Sequence, residues 1–268
     1  MEAVKLAAIW QRVYGDFLMP SKLNAYKSFL EEFLNHDYRI CSIASLWDQI
    51  KNSSIKPQDK YLVLRHDIDT DSSTARAMWE IEQIFGVRSS YYFRLSTLDI
   101  PLMKQIEISG GEASYHFEEL ATVIKQKHLK TRDEALQQMP YIREVFRSNL
   151  NRLRSLTGLA MRIVAAHGDF VNRKLQLYNW EILKCPSFRR DVGVELEVYD
   201  EAFMRHISSR HSEVLPPFIW EPADPLIAAH KGAQVIQILV HPRQWRANIR
   251  ENLIDDVKRA WEGVRHAL

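Results

Sequence analysis

Glycine is scarce, with 9 in 268 residues. Little material is left for long flexible linkers, so a continuous folded body is expected. Cysteine is scarcer still: Cys41 and Cys185 are the two, they form no C-x-x-C pair, and no zinc-finger spacing exists. Two reduced, mostly buried thiols are the expectation. No apolar run approaches the roughly 18 residues a bilayer span requires, so no membrane span is expected. The first ten residues, MEAVKLAAIW, lack a basic start leading into a long apolar core, and Gln11-Arg12 interrupt them. No signal peptide is read, and the expected location is cytoplasmic. Charge of one sign is also missing. The 36 basic and 34 acidic side chains leave a formal net charge of +2, which argues against a nucleic-acid binder. Internal repeats and low-complexity tracts are absent.

What is present reads as an ordinary globular chain, 46% apolar and 26% charged. Its length suffices for a large core in one α/β domain. Residues 2–35 read as helical. Tyr26, Phe29, Leu30, Phe33 and Leu34 share one helix face, and Pro20-Ser21 marks a break. Residues 1–35 are therefore expected to form a helical N-terminal extension, and 36–268 the main domain. Strands are read over 38–43, 61–65, 87–95, 112–115, 162–166 and 233–240. Helices are read over 45–51, 73–85, 101–109, 131–156, 173–183 and 243–267, with Ser72 or Ser73 as the N-cap of the second. Such alternation implies a parallel sheet, open or closed into a barrel. In these folds functional residues gather where strands end.

Four of the strands end in polar clusters: His66-Asp67-Ile68-Asp69, His116, His167-Gly168-Asp169 and His241-Pro242. Two carboxylates one residue apart at the end of an apolar strand are costly unless a cation or hydrogen bonds compensate. Asp and His donors suit zinc, iron, cobalt, nickel or manganese. One carboxylate can bind metal while the other serves as general base. His116 and His167 can add ligands, as can Glu118 or Glu119 one turn on. His241, with its backbone restricted by Pro242, can act as general acid to a leaving amine. Arg65 can orient Asp67 or bind an anionic group. Among the tryptophans, Trp220 and Trp245 are singled out as candidates to stack on a sugar.

The string Leu64-Arg65-His66-Asp67-Ile68-Asp69 resembles the first motif of polysaccharide-deacetylase-like proteins, the carbohydrate esterase family 4 or nodulation-deacetylase homology domain. It is most similar to the branch with an "RHDVD" string found around lipopolysaccharide O-antigen synthesis. Glu80-Ile81-Glu82 and Ser90-Tyr91-Tyr92-Phe93-Arg94 are similar to that branch's second strand. Segment 111–120 (GEASYHFEEL) resembles its "GHEIGYHYEDL" segment. His167-Gly168 with Asn172-Arg173 resembles "HG…NR", and segment 239–245 (LVHPRQW) resembles "HP.RW". The ordered set covers residues 25–265.

This resemblance implies a distorted (β/α) barrel of about seven parallel strands and a bound divalent metal, with zinc the expected ion. It makes Asp67 the catalytic base, Asp69 and His116 metal ligands, and His241 the general acid. Arg65, Glu119, Asn172, Arg173 and Trp245 are the expected substrate contacts. Three positions depart from the family pattern, the first being His167-Gly168 where an Arg-Pro motif is usual. Leu120 stands where a second histidine is usual, so the third ligand is expected from His167, with Glu118 and Glu119 as alternatives. Serine stands where the branch has an aspartate, near residues 207–210. The implied activity is removal of an N-acetyl or N-formyl group from a nucleotide sugar or glycan precursor. The alternative is a catalytically degenerate domain that binds glycans or serves in assembly. The oligomeric state is left open.

Overall fold

The computed structural model describes residues 10–214 and 220–267. The part of the expected first helix over 2–9 lies outside these residues. A π-helical turn, Tyr14–Leu18, precedes α1 (Leu23–Asn35). The chain continues through β1 (Arg39–Cys41), α2 (Ile43–Lys51), β2 (Tyr61–Ile68), α3 (Ser72–Ile84), β3 (Ser90–Phe93) and α4 (Ile100–Ile108). Then follow β4 (Glu112–Phe117), α5 (Glu119–Gln126), α6 (Arg132–Gln137), α7 (Met139–Thr157), β5 (Ile163–Ala166) and α8 (Phe170–Leu175). A 3-10 turn, Asn179–Lys184, leads to α9 (Pro186–Asp191), β6 (Leu196–Glu197), α10 (Glu201–Met204), β7 (Ser209–Glu213) and β8 (Trp220–Glu221). The last elements are α11 (Pro225–His230), β9 (Val235–Val240), a 3-10 turn over Pro242–Gln244, and α12 (Ile249–Ala267).

The sheet runs β6-β5-β4-β3-β2-β9-β7-β8. Seven strands from β6 to β7 are mutually parallel; β8 closes an antiparallel pair with β7, and short β1 pairs with the start of β2. Among the described residues no backbone ladder joins β6 to β7, so the sheet curls without closing. The ring of Tyr199, just past β6, sits in this seam. It lies 4.9 Å from the guanidinium of Arg210 on β7 and 4.9 Å from that of Arg65 on β2.

β2 shows why the sheet curls around a filled interior. All eight of its residues are buried, and side chains alternate between its faces. Tyr61 and Val63 pack inward with Cys41, Tyr92, Ile163, Leu196 and Val235. Leu62 and Leu64 face outward against Tyr26, Leu30 and Phe33 of α1. Leu30 and Phe33 are fully buried, each contributing roughly 1.5–3 kcal/mol by leaving water. The expected helical extension is therefore part of the domain's outer layer. Arg65 and Asp67 continue the inward-facing series, which places charge at the mouth of an apolar interior.

Several boundaries differ from the sequence reading. The stretch 131–156 is two helices meeting at Gln138, with Pro140 in the first turn of α7, where its missing N–H costs nothing. The helix read over 173–183 is α8 plus a 3-10 turn, separated by Gln176 at φ 51°. The N-cap of α3 is Asp71, which accepts from Thr74 N, rather than Ser72 or Ser73. Strands β6, β7 and β8 are short or polar and carry no apolar run.

Candidate metal centre

Strand register carries the polar residues to one rim. Asp67 pairs with Tyr92, His66 with Val240 and His116 with Ala165. One further step brings His241 beside Asp67, and two steps past the His116–Ala165 pair comes His167, whose N–H donates to the Phe117 carbonyl at 2.8 Å. Of the three aspartates at alternate positions 67, 69 and 71, the last serves as a helix cap. Asp67 and Asp69 remain for other work.

Asp69 Oδ1 lies 3.4 Å from His116 Nε2 and 3.5 Å from His167 Nε2. One donor atom from each of the three residues falls within 4.8 Å of the others. Asp69 Oδ1 is buried and has no hydrogen-bond partner. A buried, unsatisfied carboxylate oxygen facing two imidazole nitrogens is the pattern a divalent cation resolves, and this N2O set suits a transition metal. Burial would raise the Asp69 carboxyl, but the neighbouring imidazoles of His167, His116 and His241 outweigh it and hold it well below its usual range. His116 Nδ1 is 3.0 Å from the Ala165 carbonyl. A carbonyl only accepts, so Nδ1 carries the proton and the Nε2 lone pair faces Asp69.

Asp67 is gripped from below. Arg65 Nε donates to its Oδ1 at 2.8 Å and Nη2 to its Oδ2 at 2.7 Å. Burial would raise this carboxyl, but Arg65 and His116 outweigh it and keep it ionised. Asp67 Oδ2 also lies 3.3 Å from His116 Nε2. Across the mouth, the His241 N–H donates to Glu213 Oε1, which is also 3.7 Å from His241 Nδ1. Burial works against the imidazolium, yet Glu213, Asp69 and Asp67 lift His241 to about 9. The loop carrying His241 is tied down through Arg243, whose guanidinium binds Asp16, Asp255 and Asp256.

The structure thus brings together Asp67, Asp69, His116, His167 and His241. The expected substrate contacts fare differently. Arg65 is 1% exposed and has its fork occupied by Asp67, so it orients the carboxylate and offers nothing to a ligand. Glu119 is buried on the helix side, accepting from Asn149 at 2.9 Å and from Tyr115, away from the rim. Asn172 is buried in the capping box of α8 and donates to the Leu177 carbonyl. Arg173 lies exposed on α8. Trp245 is buried against Tyr26 at 5.0 Å, and Trp220 stacks on Phe29 at 5.6 Å. Both belong to the core under α1.

Other residues hold the site and were not read from the sequence. Arg94 binds Glu118 and donates to the Asp69 carbonyl at 3.1 Å. Glu213 sits on β7, just past the 207–210 stretch in which an aspartate is missing. Trp180 and Tyr199 line a cavity of about 530 Å³ with Leu183, Pro186, Glu197 and Glu201. Asn179, next to Trp180 in the chain, donates to the His167 carbonyl at 2.6 Å. The useful signal was an aromatic pair (Tyr178 and Trp180) directly after the "HG…NR" segment.

No protein-family model matches the chain, and no curated protein matches it. Among the solved structures that match, two are loose likenesses. One is the Xyl-CE4 domain of a multidomain xylanase from the hindgut metagenome of Trinervitermes trinervoides, 12% identical, with a TM-score of 0.33 over 75% of this chain and 84% of that one. The other is a mutant of a CE4 family pseudoenzyme with restored enzymatic activity, 13% identical, with a TM-score of 0.35 over 76% of this chain and 65% of that one. Among the described residues no helix is long and apolar enough to cross a membrane.

Glu197, in the cavity wall, gives the site a pH signature. Its oxygens accept the Ala166 and Tyr199 N–H groups, each at 2.9 Å, yet burial pushes the carboxyl up from 4.5 to about 7. Below pH 4.5 the acid is neutral in both folded and unfolded chains, so it has no effect. Between 4.5 and 7 the unfolded chain ionises first and stability falls. Above 7 the deficit is constant at about 3 kcal/mol. Urea unfolding at pH 5 and pH 8 is expected to show this loss, and Glu197→Gln to remove most of it. Equal pH slopes for both proteins would contradict the assignment.

Proposed function

We propose that this chain is a metal-dependent hydrolase that removes an N-acyl group, acetyl or formyl, from a sugar. The observation that carries the proposal is the convergence of Asp69 Oδ1, His116 Nε2 and His167 Nε2, with a second carboxylate and an imidazole on either side. When bound there, a divalent ion supplies electrophilic polarisation of an acyl oxygen and acidifies a water. Asp67, turned towards the cluster by Arg65, accepts the proton of that water as the new C–O bond forms. His241 carries a proton at neutral pH and delivers it to the nitrogen as the C–N bond breaks. The products are a free amine and a carboxylate. Glu213 keeps His241 facing inward between these events. The cavity walled by Trp180 and Tyr199 has the size and mixed aromatic-polar lining that suit a sugar ring. The motif resemblance extends the proposal to a nucleotide sugar or lipid-linked precursor of a surface polysaccharide, with zinc as the ion.

Purified protein is expected to retain about one divalent ion per chain and to release acetate or formate from N-acylated nucleotide sugars. Asp67→Asn and His241→Ala are each expected to lower that release by roughly 100- to 10,000-fold while keeping the ion. Metal-binding protein that is inert across a broad panel of N-acyl sugars would favour the binding-only alternative. Protein with no affinity for any divalent ion would end the proposal.

A further inference from the structure

His116 owes its orientation to a backbone carbonyl, but His167 has none. Its Nε2 points at Asp69 Oδ1, 3.5 Å away, and its Nδ1 lies 3.3 Å from Glu118 Oε2. That Nδ1 is buried and makes no hydrogen bond among the described residues. Glu118 is itself immobilised. Arg94 Nε and Nη2 donate to Oε1 at 3.1 and 2.9 Å, and Nη2 to Oε2 at 2.7 Å. The remaining arm of the same guanidinium, Nη1, donates to the Asp69 carbonyl. One cation therefore fixes both the carboxylate behind His167 and the backbone of the residue in front of it.

A free histidine side chain carries its proton mainly on Nε2, which would point N–H rather than a lone pair at Asp69. A carboxylate facing Nδ1 reverses that preference. Metal-binding histidines commonly give their second N–H to such a partner, which sets both tautomer and ring orientation. The need for it here is specific. Leu120 occupies the place of a second histidine on the β4 side and is fully buried in the helix-facing core. The third donor therefore comes from β5, where no backbone acceptor orients it.

We propose that Glu118, gripped by Arg94, is the positioning residue that fixes His167 in its Nδ1–H tautomer and so makes it a metal ligand. This rests on the metal-centre reading of the preceding subsection, but its first test needs no metal. In the metal-free full chain labelled with 15N, histidine ring spectra are expected to show His167 protonated at Nδ1. Glu118→Ala is expected to move that proton to Nε2 and, in a zinc titration, to weaken affinity about 10- to 100-fold. The paired Arg94→Met/Glu118→Met removes both charges together, so neither is stranded in the interior should the single variant misfold. It is expected to show the same tautomer change. An Nε2–H tautomer in the unmodified chain overturns the proposal, as does an unchanged tautomer in the variants. Zinc binding absent from the unmodified chain would instead count against the metal centre, while the tautomer result would still judge Glu118.

Discussion

Asp69→Ala is expected to abolish stoichiometric metal retention, with zinc affinity falling by more than about 100-fold. The bound is set by comparison: losing a partner outside the ligand shell typically costs 10- to 100-fold, and loss of a direct ligand exceeds that. Asp69 is the common vertex of the cluster, with Oδ1 within 3.5 Å of both imidazoles. Without it the two histidines present only neutral nitrogens to the cation. The fold should survive, because Asp69 Oδ1 makes no hydrogen bond that the change would break. Metal content after dialysis, calorimetric zinc titration and circular dichroism together decide the matter. A variant that keeps a full equivalent of tightly held ion would show that the cation binds elsewhere.

Arg65→Met is expected to be strongly destabilising. Arg65 and Asp67 are 1% and 3% exposed, joined by two hydrogen bonds. Removing one partner of a buried pair strands the other charge and costs about 3–5 kcal/mol. For a chain of this size that is a fall of roughly 10 °C in melting temperature. Arg65→Lys keeps the charge but loses the fork that matches both carboxylate oxygens, so an intermediate loss is expected. Adding Asp67→Leu to Arg65→Met should recover much of the stability by removing the stranded carboxylate. Thermal and urea unfolding of the three variants measures this directly. A loss below about 1 kcal/mol for Arg65→Met would mean that Asp67 is held by something other than this arginine.

Sequence reading reached the strands whose burial is carried by apolar side chains. β2 and β9 are runs of Leu, Val and Ile, and their ends marked the rim correctly. It failed at β7, where the buried positions are His211 and Glu213, so the pleat carried no hydrophobic signature. The carboxylate beside His241 went unread for the same reason. The candidates for a third ligand could not be separated by spacing, because positions 118, 119 and 167 all follow strand ends. In the structure His167 Nε2 lies 3.5 Å from Asp69, Glu118 lies 3.3 Å from His167 Nδ1, and Glu119 accepts from Tyr115 and Asn149. The aromatic residues misled in a different way. Trp245 sits four residues from His241, yet its indole is drawn under α1 by packing with Tyr26.

An incompletely closed sheet has two free borders, and each invites pairing with another chain. Among the described residues the path ends on β6 and β8, each two residues long, and the three-residue β1 pairs only with β2. An edge that short offers too few amides to template a foreign strand. The curled sheet can therefore forgo closure without becoming a seed for aggregation, and its open side remains free to shape a cavity.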